Sequence, residues 1–299
     1  MNTNILRITF AAIFIFTMPQ LGAMNWPTRD AALIRNFGWN NMGSPVLGMV
    51  FSGGTEVLAA EAGEIIFSRR PGDTASRLPS PLGLWTAVDH GDGLISIYSR
   101  YREHIHGELV HGEEIRRSTH IERQEPVAIS GISGWSNRTG FYFMLFDRRE
   151  RRWINPAMLI TPVHNTQPFQ ILGIHLVNAQ GTQLSGAQLL NLTQGRYRIT
   201  VATTDNIDRA ANNFLAPSRI IGSINGIEVG SLNLESIFAR DGILMMQRNG
   251  LVPTQQIYSP FPAFEVADVF LSRGRASLEI IIQDMAGNTR RALTQMIIN

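Results

Sequence analysis

The stretch Val88-Asp-His-Gly-Asp-Gly-Leu-Ile-Ser-Ile-Tyr98 indicates the fold class of this chain. Two runs of apolar and β-branched residues flank Asp89-His-Gly-Asp-Gly93, and glycines at such positions supply the positive φ angles of a tight turn. The stretch therefore predicts a β-hairpin. Runs of the same kind, bounded by Gly, Asp or Pro, cover residues 57–60, 63–67, 85–88, 94–98 and 141–146. Short strands joined by turns at this spacing predict an all-β fold.

The composition of the 299-residue chain is consistent with this prediction. Hydrophobic residues make up 44% and charged residues 17%, as in proteins with a packed core. The 27 Gly and 14 Pro residues disfavour long helices. The formal net charge is only +2, so nucleic acid is a poor candidate partner. Cys is absent, which excludes disulfide bonds and a thiol nucleophile.

Residues 1–23 are typical of an export signal peptide. Arg7 precedes the apolar run Ile8 to Met18, which is shorter than the roughly 20 residues of a membrane-spanning helix. Gly22-Ala23 offers small residues for cleavage. We therefore expect export to the periplasm or cell envelope, with no membrane span left after cleavage.

The remaining chain divides into two predicted β-rich domains. Residues 24–162 form the first, residues 163–168 a proline-flanked linker, and residues 169–299 the second. Strand patterns in the second domain cover residues 169–177, 197–202, 220–229, 278–283 and 292–298, and one short helix is predicted at Leu232 to Arg240. This spacing of strands predicts an immunoglobulin-like β-sandwich.

Six motifs follow one another in the first domain. They are Asn36-Phe-Gly38, Gly54 to Ile66, Val88 to Tyr98, Gly107 to Ile115, Gly131-Ile-Ser-Gly134 with Thr139-Gly140, and Asn155-Pro156. Their order resembles the LytM/lysostaphin-type zinc endopeptidases, which cut peptide cross-links of bacterial cell walls. The resemblance implies a LytM-like β-sheet domain with a duplicated hybrid motif. It does not extend to the second domain.

The family's metal-ligand and catalytic positions fall on residues that do not bind zinc. By the resemblance, its His-x-Gly-x-Asp stretch corresponds to Val46-Leu-Gly-Met-Val50, its His-x-His strand to Tyr142-Phe-Met144, and its Tyr-x-His histidine to Arg100. A one-residue shift of the second motif would give Phe141 and Phe143 instead. Catalytic zinc needs three N or O ligands and a bound water. The resemblance therefore implies a catalytically inactive member without metal or cofactor.

Other residues are candidates for ligand contact. Trp135, Ser136, Asn137 and Arg138 precede the former His-x-His strand, and we expect them to line a ligand groove with Arg100, Tyr142 and Met144. Trp85, Trp135 and Trp153 are predicted to be core residues, with a sugar-stacking platform as the alternative.

Histidines and clustered arginines outside this motif have simpler interpretations. His90 is predicted to be a structural turn residue. His104 and His106, with His111 nearby, form a substitute metal pair only in an alternative hypothesis. The arginines at 100, 102, 116, 117, 148, 149, 151 and 152 alternate with glutamates, which favours solvated hairpin faces over binding of anionic polymers.

The sequence thus predicts an exported pseudo-peptidase that acts as a binding or regulatory protein of the cell envelope. Its predicted partner is peptidoglycan or an envelope protein such as a wall hydrolase. Two alternatives stay open. One is an active metallopeptidase with displaced zinc ligands, and the other is a purely structural envelope assembly protein.

Overall fold

Strands make up almost all of the regular structure of the chain. The computed structural model describes residues 23–70, 78–105, 119–160, 169–208, 213–258 and 263–299. Within these ranges the only helices are short 3-10 helices, at Pro156–Met158, Gly186–Leu190 and Thr254–Gln256. The all-β fold class is confirmed. No helix among the described residues is long and apolar enough to cross a membrane.

The first half of the chain contains twelve strands among the described residues. They are β1 (Leu33–Arg35), β2 (Asn40–Asn41), β3 (Ser44–Pro45), β4 (Met49–Ser52), β5 (Glu56–Leu58), β6 (Gly63–Arg69), β7 (Leu84–Asp89), β8 (Leu94–His104), β9 (His120–Ile121), β10 (Pro126–Ser130), β11 (Gly140–Asp147) and β12 (Arg152–Ile154). Strands β7 and β8 pair antiparallel across the Asp89 to Gly93 turn. The hairpin predicted there is confirmed.

The described part of the second half adds eleven strands. They are β13 (Gln170–Asn178), β14 (Gln183–Ser185), β15 (Gly195–Asp208), β16 (Asn213–Leu215), β17 (Arg219–Ile224), β18 (Ile227–Arg240), β19 (Ile243–Arg248), β20 (Leu251–Pro253), β21 (Ala263–Leu271), β22 (Gly274–Gln283) and β23 (Thr289–Ile298). Four of the five predicted strands match β13, β15, β22 and β23. The fifth is divided between β17 and β18 by the Asn225-Gly226 turn.

The helix predicted at Leu232 to Arg240 is wrong, because these residues belong to β18. Leu232, Leu234 and Ile237 are buried, and this spacing departs from strict alternation. The register against β19 jumps from Asn233↔Gln247 to Ile237↔Met246. The resulting bulge shifts the phase of the strand, so its apolar pattern resembles that of a helix.

One sheet continues through both halves of the chain. Among the described residues it contains 16 strands, with the main path β23-β22-β17-β18-β12-β11-β8-β7-β6-β9. The crossing point is the antiparallel pair β12–β18, where Trp153 lies opposite Ile237. A second sheet has the order β14-β13-β15-β16, with β21 also paired to β15. The immunoglobulin-like sandwich stays a prediction.

Residues near Asn36 also join the two halves. The Asn36 side-chain amide donates to the Ala216 carbonyl and its oxygen accepts from the Ala216 N–H, both at 2.7 Å. Phe37 is fully buried in the larger core, which is otherwise built mainly from second-half residues. The Tyr258 hydroxyl donates to the Gly38 carbonyl at 2.7 Å. The domain boundaries stay a prediction, and residues 1–22 and the linker 163–168 lie outside the described residues.

Candidate functional site

Strand β11 presents two different faces. Phe141, Phe143 and Leu145 alternate along it and are each 0% exposed in the core of the first half. Tyr142 and Met144 therefore point to the opposite side of the sheet. The family's His-x-His motif was matched either to Tyr142 and Met144 or to Phe141 and Phe143. Only the first pair lies on the face away from this core.

A small hydrophobic cluster, here called the Tyr142 cluster, covers that second face. Its buried members are Val46, Tyr142 and Met144. The partly buried residues Trp39, Leu47, Val50, Leu82, Ile97 and Trp153 pack around them. Strand β4 brings Val50 opposite Tyr142 in the β4–β11 register. The structure thus gathers into one cluster all four positions that the resemblance assigned to the first-motif ligands and the His-x-His strand.

Close contact between the start of β4 and β11 closes the Tyr142 cluster. A Cβ on Gly48 would clash with the Phe143 carbonyl oxygen, so only glycine allows this approach. The Leu47 N–H donates to the Tyr142 hydroxyl oxygen at 2.6 Å. Burial raises the pKa of Tyr142 far above its ordinary value, so the hydroxyl keeps its proton at neutral pH. Tyr142 and Met144 are 9% and 2% exposed, which leaves them little open surface.

These residues do not fit a zinc ion. Val46 and Val50 have no lone pair, the Met144 thioether is a poor ligand for zinc, and the Tyr142 hydroxyl already accepts a hydrogen bond. In the part of the chain that the structure describes, no three His, Cys, Asp or Glu side chains are grouped so that they could hold a metal ion. His106 and His111 lie outside the described residues, and only the backbone of His104 is described.

Arg100 lies at the edge of the Tyr142 cluster. Its φ angle is +68°, and the β7–β8 register skips it, passing from Leu84↔Tyr101 to Trp85↔Ser99. This bulge aims the guanidinium at the Tyr142 ring, with Cζ 5.1 Å from the ring centroid. Its Nε atom is buried and has no hydrogen-bond partner among the residues that the structure describes. Burial is the main cause that lowers the pKa of Arg100, which nevertheless stays charged at neutral pH.

The predicted groove-lining loop lies beside this cluster rather than inside it. Trp135 is 75% exposed, and its backbone N–H donates to the Pro81 carbonyl at 3.2 Å. Trp135 borders a shallow depression of about 390 Å³ with residues of the 78–84 loop, among them Leu78. The Ser136 hydroxyl donates to the Arg138 carbonyl at 2.8 Å, while Asn137 and Arg138 are exposed.

The three tryptophans predicted for the core differ in their surroundings. Trp85 is half-buried and stacks on Phe67 at 4.3 Å between ring centroids. Trp153 is half-buried against both the larger core and the Tyr142 cluster. For Trp135 the core prediction is wrong, because this residue is exposed at the rim of the shallow depression.

His90 and the hairpin arginines have structural contacts. The His90 Nδ1–H donates to the Ala62 carbonyl at 2.8 Å, and Nε2 lies 2.7 Å from the Ser96 hydroxyl. In the tip between β11 and β12, Arg149 pairs with Asp92 at 3.0 Å and Arg152 with Asp147 at 3.2 Å. Arg148, Arg149 and Arg151 are exposed, as expected for a solvated hairpin. The arginines at 116 and 117 lie outside the described residues.

One residue near the cluster was missed by the sequence analysis. Arg35 of β1 lies opposite Val50 of β4, and its Cζ is 4.4 Å from the Trp39 ring centroid. The only sequence signal was its position next to the Asn36-Phe-Gly38 motif. That motif does not reveal that β1 pairs with β4.

Several solved structures are similar to this chain over part of its length. A chain of the SpoIIQ–SpoIIIAH pore-forming complex is 16% identical with a TM-score of 0.35, and the match covers 47% of this chain and 92% of that one. A zinc-containing peptidase from Vibrio cholerae is 16% identical with a TM-score of 0.35, covering 45% and 39%. The antimicrobial peptidase lysostaphin from Staphylococcus simulans is 15% identical with a TM-score of 0.33, covering 76% and 89%.

These neighbours include lysostaphin, a namesake of the family that the sequence motifs resemble. A protein-family model matches residues 168–299. No curated protein sequence matches the chain.

Proposed function

We propose that this chain is an exported, catalytically inactive relative of lysostaphin-type peptidases that acts as a binding or regulatory protein of the cell envelope. The observation that carries the proposal is the Tyr142 cluster. Side chains without a free metal-binding group occupy the positions that zinc ligands would need, and they pack against one another. Such a cluster provides no ligands for the zinc ion that would activate a water molecule for hydrolysis.

The surface beside the cluster supports a binding role. The exposed indole of Trp135 lies three residues from the exposed Arg138 on one loop, beside the shallow depression. Trp and Arg are both enriched in binding hot spots. Peptidoglycan or a wall hydrolase is the partner that we propose, and export follows from the signal peptide predicted at residues 1–23.

Two assays with the purified protein test this proposal. The first is co-sedimentation with isolated peptidoglycan, and the second is activation of a purified wall amidase. We expect binding in the first assay or activation in the second, without release of wall peptides by the protein alone. If the protein binds neither peptidoglycan nor envelope proteins, the proposal is contradicted.

Matched variants locate the contact surface. Trp135→Ala removes an exposed indole beside the candidate site, and we expect it to weaken binding about tenfold, the effect of a typical hot-spot aromatic residue. Phe270→Ala is the control, because Phe270 is 63% exposed on β21 in the second half. An equal loss in both variants would contradict a binding surface at Trp135.

A further inference from the structure

Three arginines lie near the Tyr142 cluster. Arg35, Val50 and Tyr142 lie opposite one another across β1, β4 and β11, so their side chains share one face of the sheet. Arg100 reaches the same face, with Cζ over the Tyr142 ring. Arg138 lies two residues before Gly140, the first residue of β11. We call Arg35, Arg100 and Arg138 the arginine triad.

Each member of the triad comes from a different element, and Arg100 is held there by an unusual backbone. A positive φ angle is uncommon for a residue other than glycine, and such conformations concentrate at functional sites. Here it marks the bulge that turns the guanidinium toward Tyr142. The positive charge over the cluster is therefore a consequence of a specific local structure.

The triad has no counter-charge within the described residues. None of its members forms an ion pair with a carboxylate there, whereas Arg149, Arg152 and Arg198 each do. Burial is the main cause that lowers the pKa of Arg35, and the positive charges of Arg138 and Arg100 lower it further, so Arg35 is close enough to both to be repelled by them. Within the described part of the chain, the buried Nε of Arg100 has no hydrogen-bond acceptor. A bound anion would both reduce the repulsion between the arginines and supply a hydrogen-bond acceptor to the Arg100 Nε.

We propose that the arginine triad binds a carboxylate group of a peptide ligand. Guanidinium groups match carboxylates through paired N–H donors, and two of these three are already fixed over aromatic rings. The exposed Trp135, on the loop that carries Arg138, provides an apolar contact for the neighbouring part of the peptide. This inference rests on the proposed binding role and specifies the chemistry of its ligand.

Citrate is a suitable probe of the triad because it carries several carboxylates. The full chain is titrated with citrate at constant ionic strength, and binding is followed by calorimetry and by the shift in melting temperature. We expect the Arg35→Gln/Arg138→Gln variant to bind citrate at least about tenfold more weakly than the parent protein. The control is Arg275→Gln, which removes an exposed arginine of β22 without an ion pair among the described residues, and it should bind like the parent.

Arg138→Gln alone keeps the test valid if the double variant does not fold, because Arg138 is exposed on a loop. Citrate binding that is equal in the parent and in Arg138→Gln would overturn the proposal, as would absence of citrate binding by the parent. A second titration compares acetyl-Ala-Glu with acetyl-Ala-Gln-amide. Weaker binding of the amide supports a peptide carboxylate, and equal binding of the two peptides contradicts it.

The outcomes separate this inference from the proposed function. Citrate binding that depends on the triad, in a protein that binds neither peptidoglycan nor an envelope protein, would support the site and contradict the envelope role. Binding to peptidoglycan or an envelope protein that Arg138→Gln leaves unchanged would support the envelope role and contradict the arginine triad as its ligand site.

Discussion

The two faces of β11 carry hydrophobic clusters that differ in size and in chemical consequence. On one face, Phe141 stacks on Phe51 at 4.7 Å between ring centroids, and Phe143 packs on Tyr98 at 5.3 Å, within a large and fully buried core. On the other face, three buried residues form the Tyr142 cluster, with the half-buried Val50 and Arg100 at its edge. We expect stability to depend mainly on the first face, because its core is the larger of the two. The second can therefore change its residues, and with them its chemistry, while the sheet persists.

The largest expected difference between the faces is in the free energy of unfolding. Phe143→Ala should cost about 3–5 kcal/mol, because it leaves a cavity in a core that cannot collapse. Met144→Ala should cost only about 2 kcal/mol, since the Tyr142 cluster has only three buried members and its partly buried neighbours can rearrange around the smaller side chain. Urea denaturation of the parent and both variants measures the two costs. A loss for Met144→Ala as large as for Phe143→Ala would show that both faces are equally rigid.

A smaller effect comes from the two tyrosine hydroxyls, one on each face. Tyr98 accepts from the Ala60 N–H at 2.8 Å and Tyr142 from the Leu47 N–H at 2.6 Å. Replacing either by Phe leaves a backbone donor without its partner and should cost about 1–2 kcal/mol of unfolding free energy. We expect the larger loss for Tyr98→Phe, because Tyr98 is 0% exposed. Unchanged stability of Tyr142→Phe, measured by the same denaturation, would contradict a closed Tyr142 cluster.

The smallest expected effect is a pH dependence at His90. Burial is the main cause that lowers the pKa of His90 below its ordinary value of 6.5. The unfolded chain therefore takes up this proton more readily, so folding stability falls as the pH drops below about 6.5. His90→Gln removes the titrating group and should show a smaller loss of melting temperature between pH 7.5 and pH 5. An equal loss in parent and variant would show that other groups cause the acid sensitivity.

Many of the strands could be predicted from the sequence, because apolar residues alternate where one face of a strand is buried. The strands predicted at 85–88 and 141–146 match β7 and β11 within one residue at each end, and the one at 94–98 begins with β8, which continues to His104. The error at 232–240 arose where a bulge interrupted the alternation of β18. Local patterns cannot reveal that interruption, since it depends on the partner strand.

Only part of the candidate site could be predicted from the sequence. Resemblance to the family selected Val46, Val50, Tyr142 and Met144, and the structure brings these four residues together. Arg35 was missed because its proximity to Arg100 arises from the pairing of β1 with β4. The joining of the two halves through Asn36 and Ala216, 180 positions apart in sequence, likewise has no local signal.

The zinc content of the purified chain tests the central claim most directly. Elemental analysis is performed without added metal and again after incubation with excess zinc followed by gel filtration. Because the Tyr142 cluster offers no free N or O ligands, we expect well below a tenth of an equivalent of zinc per chain in both samples. About one zinc per chain, lost on His104→Ala, would contradict the account and establish the alternative of displaced ligands at His104 and His106.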